Sequence, residues 1–225
     1  MKWILQFFTS SIGRKVIMSL TGLFLILFLV IHLIGNLQLI SDDEGQAFNV
    51  YSDFMSHNTL IQLISKGNFF FIVVHAIQGI VLYFTNKKAK GLKYAVSPKN
   101  GTSWASRNMA LLGILILAFL LMHLGHFWFQ FKFGSETPMI SYSDEEIVNA
   151  YESVSYVFAN PLWVALYMVG LIALAFHLWH GFQSAFQSLG LNHKKYTPLI
   201  KLVGRVYAIL IPLGFAFIPL YMYFK

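Results

Sequence analysis

The sequence predicts an all-α, polytopic membrane protein with five transmembrane helices in one membrane domain spanning residues 1–225. Three observations predict it. Only 11% of the residues are charged while 57% are hydrophobic, and a soluble domain of this size carries roughly 25% charged residues. Five apolar stretches reach the roughly 20 residues that a bilayer demands of a spanning helix. The charges between those stretches segregate by sign, which is the mark of a topology signal and not of a nucleic-acid patch, despite a net charge of +7. No nucleic-acid partner is therefore expected; the solvent is lipid.

Taken in order, the spans are read at about 16–40, 59–86, 103–131, 160–189 and 197–224. Asn58 is a candidate cap for the second, and Asn160-Pro161 and Thr197-Pro198 each place a cap before a proline at the first helical position. Pro212 and Pro219 fall inside the fifth span and are expected to kink it, a cost that neighbouring helices offset in lipid. The N-terminal residues lack the basic head, short apolar core and cleavage site of a signal peptide, so the first span is expected to be retained. With no cysteine, this chain holds no disulfide, thiolate haem ligand or iron–sulfur cluster.

Thirteen of the 16 basic residues lie on one side: Lys2, Arg14 and Lys15, then Lys87, Lys88, Lys90, Lys93, Lys99 and Arg107, then Lys194, Lys195, Lys201 and Arg205. The other three are Lys66, Lys132 and Lys225. All nine acids lie on the opposite side: Asp42, Asp43, Glu44, Asp53, Glu136, Asp144, Glu145, Glu146 and Glu152. The positive-inside rule then puts the N-terminus in the cytoplasm and the C-terminus outside. In the outer loops, Ser143-Asp-Glu-Glu146 has the capping-box pattern, with Ile147, Val148, Tyr151 and Val154 following at helical spacing. Residues 45–57 place Phe48, Tyr51 and Met55 on one face. Both segments are read as short amphipathic surface helices.

Four spans carry histidine, an expensive residue in hydrocarbon unless it faces a bundle interior and has a partner. His32 lies 17 positions from Lys15 and 10 from Asp42; His123 lies 16 from Arg107 and 9 from Lys132. At about 1.5 Å rise per residue these two share one level in the outer half. His75, 12 positions from Lys87, and His177, 25 from Glu152, lie deeper toward the basic side. Lys66, nine positions before His75, conflicts with that depth unless it snorkels from a tilted helix. Two layers follow, each with one imidazole from two different helices. Paired neutral imidazoles are what bis-histidine haem ligation needs, and filling both axial positions suits electron transfer. Gly35, Gly79, Gly125 and Gly181 stand two to four positions after the four histidines, where a flat macrocycle needs room, although such glycines are also ordinary helix packing. His126 and His180 lie about 60° round the helix from His123 and His177, so either could substitute as ligand; they are read as supporting the ligands or facing the propionates. His57 and His193 are read as solvated.

Leu29-Val-Ile-His32-Leu-Ile-Gly-Asn36, Val74-His75-Ala-Ile-Gln-Gly79, Met122-His123 with Phe133-Gly134 after it, and His177-x-x-x-Gly181 ending in Leu189-Gly190 recur in one known family. Over essentially its whole length the chain resembles the five-helix dihaem cytochrome b subunit that anchors succinate dehydrogenase or fumarate reductase, respiratory complex II. The resemblance implies a four-helix bundle around two haem b groups with a fifth helix packed outside. His75 and His177 would bind the haem near the cytoplasm, and His32 and His123 the outer one. It favours His177 over His180 by the glycines four and thirteen positions on, and His123 over His126 by the glycine eleven positions on. It further implies that succinate is oxidised on a flavoprotein subunit. Electrons would pass through an iron–sulfur subunit docked on the cytoplasmic face, across both haems, to a quinone, commonly menaquinone. This chain would carry no succinate chemistry itself, only the quinone-reactive end, in a bacterial cytoplasmic membrane. The basic stretches 87–107 and 191–201 are the expected docking surface, and Arg14, Lys15 and Ser19 could reach haem propionates. Asp42, Glu44, Asp53 and His57 are available for proton exchange with a quinone, and none is singled out.

Two rivals are weighed. Another cytochrome b, of the complex III type or a hydrogenase or formate dehydrogenase anchor, is one; complex III places two histidines about four turns apart on each of two helices, a spacing absent here. The other is a haem-free anchor or transporter with a histidine proton relay. A relay commonly includes intramembrane carboxylates, and every acid lies outside the spans.

Overall fold

The computed structural model describes residues 2–90, 103–134, 137–142 and 145–225. Lys93 and Lys99 of the basic side, Glu136 and Asp144 of the acidic side, and Ser143 of the expected capping box lie outside them. The chain is an all-α polytopic membrane protein, with five helices long and apolar enough to cross a membrane among the described residues.

A short helix α1 (Lys2–Thr9) precedes the first span and was not anticipated. The first span, α2 (Ser11–Asn36), runs on into a 3₁₀ turn at Leu37–Ile40. It begins five residues before the sequence-based start because Ser10 caps it: the Ser10 hydroxyl oxygen accepts from the Gly13 N–H at 3.0 Å. Arg14 and Lys15 end the apolar stretch without ending the helix. At the acidic end, α3 (Gln46–His57) is the expected short helix, with Phe48 buried. The second span, α4 (Thr59–Lys90), is capped by Asn58, whose Oδ1 accepts from Leu60 and Ile61 at 3.1 and 3.2 Å.

The third span is segmented. After α5 (Trp104–Arg107) the chain breaks at Asn108, and α6 (Met109–Leu124) leads through a π turn at Gly125–Phe129 into α7 (Gln130–Phe133). The fourth span, α9 (Pro161–Ser188), starts as expected, with Asn160 Oδ1 accepting from Leu162 at 2.9 Å. Between α7 and α9 lie two strands and α8 (Ala150–Phe158). The fifth span, α10 (Thr197–Phe224), runs unbroken through Pro212 and Pro219. Its expected cap is corrected: Tyr196 holds the cap position, while the Thr197 hydroxyl donates to Asn192 Oδ1 at 2.8 Å and accepts from the His193 N–H at 2.9 Å. That side chain ties down the preceding loop instead of the helix end.

The outer segment after α7 also differs from expectation. Residues Met139–Tyr142 (β1) and Glu145–Val148 (β2) form an antiparallel hairpin, Tyr142 opposite Glu145 and Met139 opposite Val148. Ile147 and Val148 therefore belong to a strand, and the capping box lies six residues later. Asn149 Oδ1 accepts from the Glu152 N–H at 3.2 Å, and its amide donates back to the Glu152 carboxylate at 2.8 Å. Ile140 and Tyr142 in one segment and Ile147 and Val148 in the other suit a pleated pair, and that competing partner strand is invisible to a helical count.

Four spans form a ring. Helix α2 packs on α4, α4 on α6, α6 on α9, and α9 on α2, so α2 faces α6 and α4 faces α9 across the diagonals. Helix α10 lies outside, against α9 and α2. Its Tyr207 hydroxyl donates to the Ile26 carbonyl of α2 at 2.5 Å, a bond between helices of the kind that holds spans together where the hydrophobic effect is weak. The largest buried core lies at the acidic end, where Leu39, Phe48, Val154 and Phe158 pack with Tyr167 and Ile218. Thus α3, α8 and the outer ends of α9 and α10 make a lid on the bundle.

Candidate functional site

The ring order decides which histidines can meet. His75 of α4 and His177 of α9 stand on one diagonal, and their ring centroids are 6.2 Å apart with planes at 63°. His32 of α2 and His123 of α6 stand on the other, with centroids 5.8 Å apart at 86°. All four are half-buried. Each pair takes one ring from each of two helices that do not adjoin, so both pairs lie on the bundle axis.

Two chains of contacts measure the distance between the pairs. Thr21 touches His75 (3.1 Å, Oγ1 to Nδ1) and lies eleven residues before His32 on α2, which is about 16 Å along a helix. Tyr167 touches His123, with ring centroids 6.0 Å apart, and lies ten residues before His177 on α9, about 15 Å. The two counts agree. The rings form two layers, with the His75 layer on the basic side. The conflict raised by Lys66 dissolves: that lysine is exposed, while the contact with Thr21 sets the depth of His75.

The surroundings differ by layer. On the acidic side Phe28 stacks on His32 (5.2 Å, 15°) and Phe119 on His123 (5.9 Å, 24°). Phe119 can lie there because Gly170 of α9 has no side chain; a Cβ at that position would come within 2.4 Å of the Phe119 ring. On the basic side, His75 closes on Gly22, where a Cβ would stand 3.2 Å from its Cε1. Of the glycines singled out by sequence, Gly125 and Gly181 border open space, with only the His177 ring 3.9 Å from a Cβ at Gly181. Gly35 makes room for the Tyr51 ring, whereas a Cβ at Gly79 would meet Met18 at an ordinary 3.6 Å.

The two neighbouring histidines separate from the pairs. His126 turns toward α9: its Nδ1 is 3.2 Å from the Tyr167 hydroxyl, and the rings stack at 8°. His180 is half-buried and joins neither pair. His57 is exposed with Nδ1 3.2 Å from the Asp53 carboxylate, and His193 is exposed in the α9–α10 loop. Ser19 is buried, its hydroxyl donating to the Lys15 carbonyl at 2.9 Å.

Does this donor set fit a haem? Two imidazoles bound to one ion at about 2 Å per metal–nitrogen bond have centroids about 6 Å apart, as seen in both layers. Among the described residues no three or more histidines and carboxylates cluster. A bare tetrahedral ion needs three or four protein ligands, whereas two suffice where a macrocycle fills the equatorial positions. The residues present fit a bis-histidine haem at each layer, with His32 and His123 in one and His75 and His177 in the other.

Sequence reasoning missed Thr21, Gly22, Phe119 and Tyr167. Only Thr21-Gly22, a hydroxyl beside a glycine in an apolar run, carried any signal. Comparison of the chain with protein-family models, with curated proteins and with solved structures matches none of them.

Proposed function

We propose that this chain is the membrane-anchor and electron-transfer subunit of a succinate:quinone oxidoreductase, a dihaem cytochrome b of the complex II type. The observation that carries the reading is the pair of histidine pairs, 6.2 and 5.8 Å between rings, stacked along one bundle axis. When bound, two b haems supply reversible one-electron carriers on the path across the bilayer. The chain's own residues do the rest. His75 and His177 would hold the basic-side haem and His32 and His123 the acidic-side one, each with two imidazoles, which would leave oxygen no site to bind. Phe28 and Phe119 stack on the outer imidazoles and fix their planes, and the lid of α3 and α8 shields that layer from water.

The charge asymmetry supports a bacterial cytoplasmic membrane with the basic end inside. That end, including Lys87, Lys88, Lys194, Lys195 and Lys201, is the side on which flavoprotein and iron–sulfur subunits dock. Quinone, of the menaquinone class, reacts at the acidic-side layer, next to the carboxylates that exchange protons with the outside. Succinate chemistry belongs to the partner subunits.

The complex isolated from its native membrane through a tag on this chain tests the reading. Succinate added anaerobically is expected to reduce its b-type absorbance, with flavin and iron–sulfur subunits co-purifying. A haem-loaded protein that formate or hydrogen reduces and succinate does not would assign it to another quinone-linked dehydrogenase.

A further inference from the structure

Of the four paired imidazoles, His75 alone has a hydrogen-bond acceptor at Nδ1. The Thr21 hydroxyl oxygen lies 3.1 Å from that nitrogen. Its own proton is already placed, donated to the Ile17 carbonyl at 2.8 Å with the Met18 carbonyl at 3.1 Å. A threonine in a membrane helix satisfies itself by this back-bond alone, so the approach of His75 is an additional contact that Thr21 does not need. With the hydroxyl proton on the shorter Ile17 contact, the oxygen's lone pair faces the ring; His75 then carries its proton on Nδ1 and leaves Nε2 a free lone pair. Thr21 is buried, 4% exposed, so no water competes for the bond. Gly22 eases the approach, since a Cβ there would stand a tight 3.2 Å from His75 Cε1.

The other three rings lack this. Nδ1 of His123 and of His177 is buried without a partner. His32 Nδ1 faces the Asn36 amide nitrogen at 3.3 Å. That amide is oriented by its 2.8 Å donation to the His32 carbonyl; flipped, it would set two acceptor oxygens against each other. Thus α2 presents an acceptor to the inner pair and none to the outer, where His32 gains an Nδ1–H and a free Nε2 only when the Asn36 amide turns away.

We propose that Thr21 is the positioning residue of the inner pair, holding His75 as the Nδ1–H tautomer with Nε2 free for iron and lowering the potential of the haem bound there. The proposal rests on the haem reading above. A ligand imidazole that gives its outer N–H to an acceptor is a stronger donor to the metal and has its ring orientation fixed. Stronger donation favours ferric over ferrous iron, so loss of the acceptor moves the midpoint up.

Spectroscopic redox titration of the purified wild type, Thr21→Val and Thr21→Ser, with haem counted per chain, tests this. Thr21→Val keeps the shape and removes the hydroxyl acceptor, leaving only the Met18 carbonyl that also faces His75. Its inner-haem midpoint is expected to rise by the equivalent of about tenfold in the ferric–ferrous equilibrium, about 59 mV for one electron. The outer midpoint stays in place, and Thr21→Ser, which restores the hydroxyl, stays near wild type. Loss of the inner haem alone in Thr21→Val, retained in Thr21→Ser, supports the same role, because outer-shell partners of metal ligands typically contribute 10–100-fold to affinity. Unchanged midpoints in a Thr21→Val protein holding both haems overturn the proposal. So does an equal shift of both haems, or the same shift or haem loss in Thr21→Ser. A wild type that holds no haem overturns the underlying reading as well, which separates the two failures.

Discussion

Alanine at His75 is expected to leave a protein that binds one haem where the wild type binds two, and alanine at His32 to leave one haem of the other kind. The four single variants should fall into two classes. His75→Ala and His177→Ala lose the same haem, and His32→Ala and His123→Ala lose the other. The grouping follows from the ring order, which sets α4 across from α9 and α2 across from α6, and from layers about 15–16 Å apart by helix rise. At that separation each ligand serves one layer only. His126→Ala and His180→Ala should each retain both haems, because neither side chain stands in a pair. Reduced-minus-oxidised spectra with haem extraction read the result. Loss of one and the same haem from His32→Ala and His75→Ala would refute the layering, and loss caused by His126→Ala in place of His123→Ala would move the outer ligand by one turn.

The second large effect lies outside the membrane. Asn49 is completely buried and joins three pieces of the lid. Its amide donates to the Tyr142 hydroxyl at 3.2 Å and to Asn149 Oδ1 at 3.0 Å, and its carbonyl accepts from the Tyr151 N–H at 2.8 Å. One side chain thus ties α3 to the hairpin and to the start of α8. Asn49→Ala strands the Tyr151 N–H and removes the donor to Asn149. With each orphaned buried group costing about 1–3 kcal/mol, a loss of roughly 2–5 kcal/mol is expected. Thermal melting followed by helical dichroism in detergent should show the midpoint falling by roughly 5–15 °C. Asn49→Asp, which keeps the acceptor but buries a carboxylate against Asn149 Oδ1, should fall at least as far. An unchanged midpoint in Asn49→Ala would mean that the lid is held by apolar packing alone. Because Tyr51 of α3 packs over Gly35, three residues from His32, loosening the lid should also release the outer haem before the inner one.

Much of this arrangement was legible in the chain because lipid imposes simple rules. Span positions follow from apolar length, and side chains such as Asn58 and Asn160 cap helices through contacts two or three residues away. Counting positions from flanking charges separated His32 and His123 from His75 and His177, since helical rise converts sequence distance directly into depth. What escaped depends on partners far away in sequence. The strand Glu145–Val148 exists because Met139–Tyr142 lies alongside, and Asn49 acts on residues about a hundred positions on. The start of α2 was placed too late because Arg14 and Lys15 mark the edge of hydrocarbon, whereas Ser10 marks the edge of the helix. Thr21 was passed over for a similar reason. Its approach to His75 spans 54 residues and is eased by Gly22 being bare. Of the glycines that follow the histidines, Gly35 gives its space to Tyr51.

The central claim is that the two histidine pairs are the axial ligands of two haems. Haem measured per chain in protein purified from its native membrane, together with the reduced-minus-oxidised spectrum, tests it most directly. The account predicts two b-type haems per chain, both low-spin with two histidine ligands and unreactive toward carbon monoxide. A pure, folded chain with no reducible haem, or with a haem whose open axial position binds carbon monoxide, would contradict it.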